Sequence, residues 1–169
     1  MSVTITITIP EEIVEKVRKL GMDLESFIFE VLLRELKLDP EEEVQMRLQL
    51  VNKFFNEGLE LVDKNPVQAS EKLYKVVEEC VKILAIKFNI TEVLESVRSR
   101  GRWTVTDLEK TVRIISKMIG KWFLNAWDSA WTLHVWGFHE AKLSSEAVKD
   151  RVEFVKKIME EAVKLVHKK

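Results

Sequence analysis

The sequence predicts a mainly α protein: an N-terminal strand-helix-helix that pairs between subunits, then an up-and-down bundle of about five helices. Three observations predict this. Apolar residues recur at helical spacing from Val44 to Val166. Cap-and-proline signals, Asp39-Pro40 and Asn65-Pro66, open two long helices. Period-two alternation occurs once, in residues 2–9, and no second strand is visible in the remaining chain.

Composition bounds the function classes. With 46% hydrophobic and 33% charged residues the chain is globular. No apolar run reaches the roughly 18 residues of a spanning helix, so no membrane role is expected. The start MSVTITITIP has no basic segment ahead of an apolar one, hence no signal peptide is expected. One cysteine, Cys80, excludes an internal disulfide, and a cytoplasmic protein is expected. The net charge of −1 lacks the basicity of a chain that coats nucleic acid. Three glutamines, one cysteine and many Lys, Glu and Arg suit a thermophile.

In the first segment, Val3, Ile5, Ile7 and Ile9 alternate with Ser2, Thr4, Thr6 and Thr8, giving one apolar and one hydroxyl face. All but Ser2 are β-branched, which favours a strand. Pro10 closes the strand and opens a helix with Glu11 and Glu12 in its first turn. That helix runs through Ile13, Val14, Val17 and Leu20 to Gly21, and Asp23 caps a second one with Leu24, Phe27, Ile28, Val31, Leu32 and Leu36. A lone strand leaves both backbone edges unpaired, so it needs a partner, most simply the same strand of a second copy. A homodimer through Val3, Ile5, Ile7 and Ile9 is therefore expected.

The order strand, helix, Gly-containing turn, helix in ITITIPEEIVEKVRKLGMDLESFIFEVLLREL resembles the ribbon-helix-helix family, over roughly residues 1–38. That resemblance implies a dimer ribbon that often enters the DNA major groove. DNA is the less favoured partner. The outward residues Ser2, Thr4, Thr6 and Thr8 include no Arg, Lys, Asn or Gln for base contacts. Five basic side chains stand against seven acidic ones in residues 1–38, which opposes phosphate neutralisation.

The bundle occupies residues 39–169. Pro40, Glu41 and Glu42 open a helix with Val44, Leu48, Val51, Phe55 and Val62 on its inner face and Gly58 in the same lane. After Asn65-Pro66, one face carries Ala69, Leu73, Val76, Val77, Cys80, Val81, Leu84 and Phe88, so the two helices form an antiparallel hairpin. Cys80, within that stripe, reads as inert packing. Residues 89–105 hold a shorter helix and a basic tip. Thr106 to Glu109 reads as the capping box of a helix with Leu108, Val112, Ile115 and Ile119 on one face, before Gly120. A tryptophan-rich helix follows. After KLSSEAV, a serine-capped last helix carries Val148, Val152, Val155, Met159, Ala162 and Val166, ending in His167-Lys168-Lys169.

Two motifs, VQASEKLYKVVEECVKILA at 67–85 and AWDSAWTLHVWGFHEAKL at 126–143, together with the LDPEE helix start, resemble the archaeal PaREP family over about residues 38–168. The helical domain of that family is similar to the HEPN domain (higher eukaryotes and prokaryotes nucleotide-binding). The resemblance implies an up-and-down bundle that commonly dimerises. HEPN relatives include ribonuclease toxins, substrate-binding partners of nucleotidyltransferases, and domains with no known chemistry. The ribonucleases use an Arg followed four to six residues later by a His. That pair is missing here: arginines stand at 18, 34, 47, 98, 100, 102, 113 and 151, and histidines at 134, 139 and 167. No catalytic residue carries over.

The segment WDSAWTLHVWGFHEAK holds three of the five tryptophans and two of the three histidines. On a regular helix Trp127, Trp131, His134 and Phe138 share one face, with Trp122, Leu133 and Trp136 nearly opposite. Such a helix is expected to be sandwiched at the centre of the bundle. His139, five residues after His134, falls about 140° away, so the pair does not chelate a metal as i, i+4 histidines do. No metal or cofactor is expected.

The polar lane Asp128, Thr132, His139 and Glu140 is the candidate small-molecule site, since a carboxylate near a histidine suits acid–base work or a polar ligand; otherwise it is a solvated strip. His134 and His139 with Asp128 are the candidate catalytic groups of an enzyme; otherwise His134 is a core histidine bonded to one partner. The polar side of the 66–88 helix, with Ser70, Glu71, Lys72, Tyr74, Lys75, Glu78 and Glu79, reads as a solvated face of i, i+4 pairs. Arg98, Arg100 and Arg102, followed by Trp103, are the candidate phosphate- and nucleic-acid-binding group, with the ring stacking a base. The bland alternative pairs these arginines with Glu92 or Glu95. The expected function is a non-catalytic homodimeric binding or assembly module engaging RNA, a nucleotide or a toxin–antitoxin-like partner. The alternatives are a divergent HEPN-type ribonuclease or nucleotide-modifying enzyme, and a ribbon-helix-helix DNA regulator.

Overall fold

A computed structural model describes residues 3–168. Ser2 of the expected hydroxyl face and Lys169 of the basic C-terminus lie outside the described residues. Among the described residues the chain forms eight α-helices and one π-helical turn, with no strand. It divides into two compact units, Met1–Asp39 and Pro40–Lys169.

In the first unit, α1 (Glu11–Lys19) and α2 (Leu24–Glu35) flank a turn in which Gly21 takes φ +75°, a conformation that a Cβ would strain. Asp23 caps α2 by accepting from the Ser26 N–H at 3.1 Å. Residues 3–10 have no regular structure, which corrects the expected strand. The cause is the ladder: β structure needs a neighbouring backbone to bond with, and this single chain supplies none among the described residues. Val3, Ile5 and Ile7 are 84%, 79% and 60% exposed, and α2 buries no residue.

The second unit contains α3 (Pro40–Leu61), α4 (Pro66–Lys87), α5 (Thr91–Arg100), α6 (Val105–Ile119), α7 (Trp122–Thr132), the π turn (Leu133–His139) and α8 (Ser145–His167). The bundle thus has six α-helices where about five were expected. Thr91–Arg100 is the shorter helix expected within residues 89–105, ended by Gly101 in the left-handed conformation.

The central element is α4, which packs against α3, α6, α7, α8 and the π turn. Ala69, Leu73, Val76, Cys80, Leu84 and Ala85 are fully enclosed there, small and branched side chains that admit neighbours on every side. The tryptophan-rich helix was expected in that place. Trp127 and Leu133 are buried, but Trp136 is 54% exposed, so its second face is only partly covered within the unit.

The α3–α4 pair makes the most extensive helix–helix contact. A Cβ on Gly58 would lie 2.9 Å from Leu73, so the glycine lets the two backbones approach. Phe54, rather than the expected Phe55, enters the core, and the ammonium groups of Lys53, Lys72 and Lys75 lie over its ring at 5.0, 5.2 and 5.3 Å. One position decides this, since i+3 and i+4 from Val51 flank the same stripe.

Helix ends follow the sequence signals closely. Asn65 accepts from the Gln68 N–H at 3.1 Å and Ser144 from the Ala147 N–H at 3.2 Å. The capping box of α6 begins two residues before the expected one. Thr104 and Asp107 cap each other's backbone, because an Asp at the third position reaches back as a Glu would. Lys87 donates to the carbonyls of Val166 and Lys168, placing a cation at the negative end of α8. No helix of the described residues is long and apolar enough to cross a membrane.

Candidate functional site

The chain winds more widely over Leu133–His139, closing i to i−5, as where the Glu140 N–H donates to the Val135 carbonyl at 2.9 Å. Gly137 explains where the segment lies. A Cβ there would stand 2.3 Å from Ser70 Oγ and 2.5 Å from Ser70 Cβ. Ser70 is enclosed on α4, its hydroxyl donating to the Pro66 carbonyl at 2.7 Å. The turn therefore lays its backbone directly on the central helix.

Wider winding changes which side chains share a face, because i and i+5 now align. His134 and His139, expected to point apart, meet with their Nε2 atoms 3.1 Å apart. The expectation rested on regular α winding, which the segment abandons.

The chain of contacts continues inward. His134 Nδ1 lies 2.8 Å from Oε2 of Glu71 on α4. A carboxylate only accepts, so Nδ1 of His134 carries the proton. With neutral rings, Nε2 of His134 is then the acceptor and His139 donates from its own Nε2. That leaves Nδ1 of the exposed His139 ring unprotonated. Tyr74 stacks on His134 with centroids 4.2 Å apart, and Trp131 and Phe138 stand at 5.3 and 6.4 Å. Burial, then the charges of Glu78 and Glu71, push the Tyr74 phenol well above its ordinary value, so Tyr74 is a neutral platform.

Glu71, expected on a solvated face, is instead enclosed. Ser70, Glu71, Lys75, Glu79 and Lys82 on the polar side of α4 are all buried. Arg47 of α3 reaches Glu79 at 2.7 Å and Glu43 at 2.8 Å, while Lys82 reaches Glu78 and Glu79 at 2.7 Å each. The network matches each desolvated cation to carboxylates. A signal for it was present: Arg47 interrupts the apolar lane of α3, and Lys82 stands inside the run CVKILA.

The remaining candidates are placed elsewhere. Asp128 lies beside Glu109; burial and then that charge push its carboxyl above the usual range. Thr132 donates to the Asp128 carbonyl at 3.0 Å. The lane is not continuous, since His139 turns to His134, and Glu140 is the exposed residue that ends the π turn. Cys80 is enclosed, and burial pushes its thiol up. Among the described residues no group of three or more His, Cys, Asp or Glu is placed to hold a metal ion.

At the arginine tip, Arg98 is exposed and Arg100 pairs with Asp107 at 2.6 Å, rather than with Glu92 or Glu95. Arg100 also donates to the Arg102 carbonyl at 3.3 Å. Trp103 is 8% exposed, which leaves little of its ring to stack a base. Burial pushes the Asp107 carboxyl up, but hydrogen bonds from Thr104 and Arg100 outweigh it and hold the group below its usual value. The pair therefore stabilises the fold fully above the unfolded carboxyl's titration range, and the contribution is lost as pH falls through the lower folded value. Asp107→Asn is expected to lower stability by about 1 kcal/mol at neutral pH. Thermal melts from pH 7 to pH 3 check this: the gap to the parent protein closes on acidification.

The profile of the archaeal PaREP1/PaREP8 family matches residues 46–159. The chain is similar to a structural-genomics target from Sulfolobus solfataricus, SsR10, in its crystal structure. Identity is 36%, the TM-score is 0.65, and the match covers 70% of this chain and 97% of that one. The solution structure of SsR10, the Orf c02003 protein, matches at 37% identity and a TM-score of 0.61, covering 69% of this chain and 90% of that one. No curated protein matches.

Proposed function

The chain belongs to the archaeal PaREP1/PaREP8 family, and from that premise we propose that it is a homodimeric, HEPN-like helical module that engages RNA or a nucleotide at the Glu71–His134–His139 chain. One observation carries the reading. A buried carboxylate fixes the tautomer of one histidine, which fixes a second, exposed one. Such a chain presents a defined donor and acceptor pattern, which a histidine hydrogen-bonded only to water lacks. Trp131 and Phe138, both half-buried, offer ring surface beside it for a base. π turns also concentrate at functional sites.

A second reading, RNA cleavage, is favoured by the unprotonated Nδ1 of His139, which is placed on an exposed ring to take a proton from a ribose hydroxyl. Incubation of fluorescent single-stranded RNA with the parent protein, His139→Ala and Glu71→Gln separates the two. Binding reduced at least tenfold in His139→Ala, with RNA intact throughout, supports the binding module. Cleavage that depends on His139 establishes the ribonuclease. Equal RNA binding by parent and His139→Ala, with the RNA intact throughout, overturns both.

The dimer forms through residues 3–9. The exposed isoleucine row and the absence of any buried residue in α2 support it. Sedimentation at micromolar concentration is expected to show a dimer that becomes monomeric in the Ile5→Lys, Ile7→Lys double variant. A monomeric parent protein contradicts it.

A further inference from the structure

We propose that His134 and His139 bind a late first-row divalent cation, Ni2+ or Cu2+ above all, through their Nε2 atoms. Glu71 holds His134 from behind. The inference uses the same imidazoles as the proposed RNA site but does not rest on that reading.

Three features of the pair carry it. The first is separation. Two nitrogens bound at about 2.0–2.1 Å to one ion and 3.1 Å apart subtend roughly 95–102° at it. That angle lies between the right angle and the tetrahedral one and so suits a chelated ion, and the divalent affinity order, which climbs through Ni2+ to a maximum at Cu2+, makes these two the expected occupants.

The second is approach. The ring planes cross at 82° with centroids only 4.5 Å apart. A collinear N–H···N bond holds two imidazole centroids farther apart than that, so the Nε2 atoms meet at an angle. This is the disposition of two ligands around a shared ion.

The third is Glu71. A metal-bound histidine almost always donates its other ring N–H to a carboxylate or carbonyl, which fixes the tautomer and orients the ring. His134 already has this arrangement: its Nδ1 lies 2.8 Å from Glu71 Oε2, and its ring is fixed by stacking on Tyr74. The Nε2 lone pair of His134 is therefore available without rearrangement. His139 needs one step, the transfer of its Nε2 proton through solvent to its Nδ1, after which both lone pairs are free. The Nε2–H bond of His139 is exchanged for an Nδ1–H bond, so the ring stays neutral, and the His–His hydrogen bond is given up.

Two protein ligands leave the other coordination positions to water or to an oxygen of a bound anion, so the site is open. The same winding that joins the pair creates it: at i, i+5 on a regular α-helix these imidazoles do not converge.

Calorimetric titration of tag-free, chelator-treated protein with NiCl2 tests the proposal. One ion per chain is expected, with affinity reduced at least tenfold in His139→Ala, whose exposed position spares the fold, as circular dichroism checks. Glu71→Gln is expected to weaken binding by about 10–100-fold, whereas His167→Ala, remote in sequence on α8, leaves it unchanged. With Cu2+, electron paramagnetic resonance is expected to show coupling to two imidazole nitrogens in the parent and at most one in His139→Ala. Ni2+ affinity equal in parent and His139→Ala, or no binding by the parent, overturns the proposal. RNA binding measured in the presence of chelator reports on the other reading separately.

Discussion

Glu79→Ala is expected to destabilise the bundle by about 3–5 kcal/mol, the range for breaking a buried ion pair by removing one partner. Glu79 bonds two cations at once, Arg47 at 2.7 Å and Lys82 at 2.7 Å, and those side chains are only 2% and 1% exposed. Removing the carboxylate leaves Arg47 with Glu43 and Lys82 with Glu78, both more exposed carboxylates. The cost is that of two cations held out of water with one carboxylate fewer. Glu79→Gln, which keeps the shape and one acceptor, is expected to cost less. Urea denaturation measures both, and a loss below about 1 kcal/mol for Glu79→Ala means that water reaches the network.

Gly137→Ala has a smaller effect on stability and a larger one on the site. The new Cβ would collide with Ser70 at 2.3–2.5 Å, and Ser70 is enclosed on the central helix, so the π turn must lift. Overpacking of this kind costs about 1–3 kcal/mol. Lifting the turn separates His134 from Glu71, so ligand binding at the histidine pair is expected to fall with it. A compensating Ser70→Gly removes both colliding atoms. The Gly137→Ala, Ser70→Gly double variant is expected to be more stable than the summed single losses predict, and to recover the histidine–carboxylate bond. Strict additivity would show that this contact does not position the turn.

The parts of the fold that were legible in the sequence are those governed by local rules. Asp23, Asn65 and Ser144 cap the helices that their spacing predicts. Val148, Val155 and Ala162 line the buried side of α8, as helical periodicity requires. Missed features depend on partners far along the chain. Whether Glu71, Lys75 and Glu79 are solvated is settled by the π turn, by Phe54 and by Arg47, not by their own helix. The capping box moved from Thr106 to Thr104 because Asp107 served as well as a glutamate.

The histidine pair is the instructive case. His134 and His139 stand out in the sequence, but regular winding places them on different faces. One glycine pressed against Ser70 marks the change of winding, and no periodicity computed at 100° per residue reveals it. The N-terminal isoleucine row shows the complementary limit. Its alternation is plain, but no described segment of the chain pairs with it, so it is open backbone.

The central claim is that Glu71 fixes His134 and through it His139. Long-range ¹H–¹⁵N correlation of the imidazole nitrogens in metal-free protein measures this most directly. The account predicts His134 protonated at Nδ1 with Nε2 unprotonated, His139 protonated at Nε2, and loss of both assignments in Glu71→Gln. Two histidines averaging freely between tautomers, or His134 protonated at Nε2 alone, would contradict it.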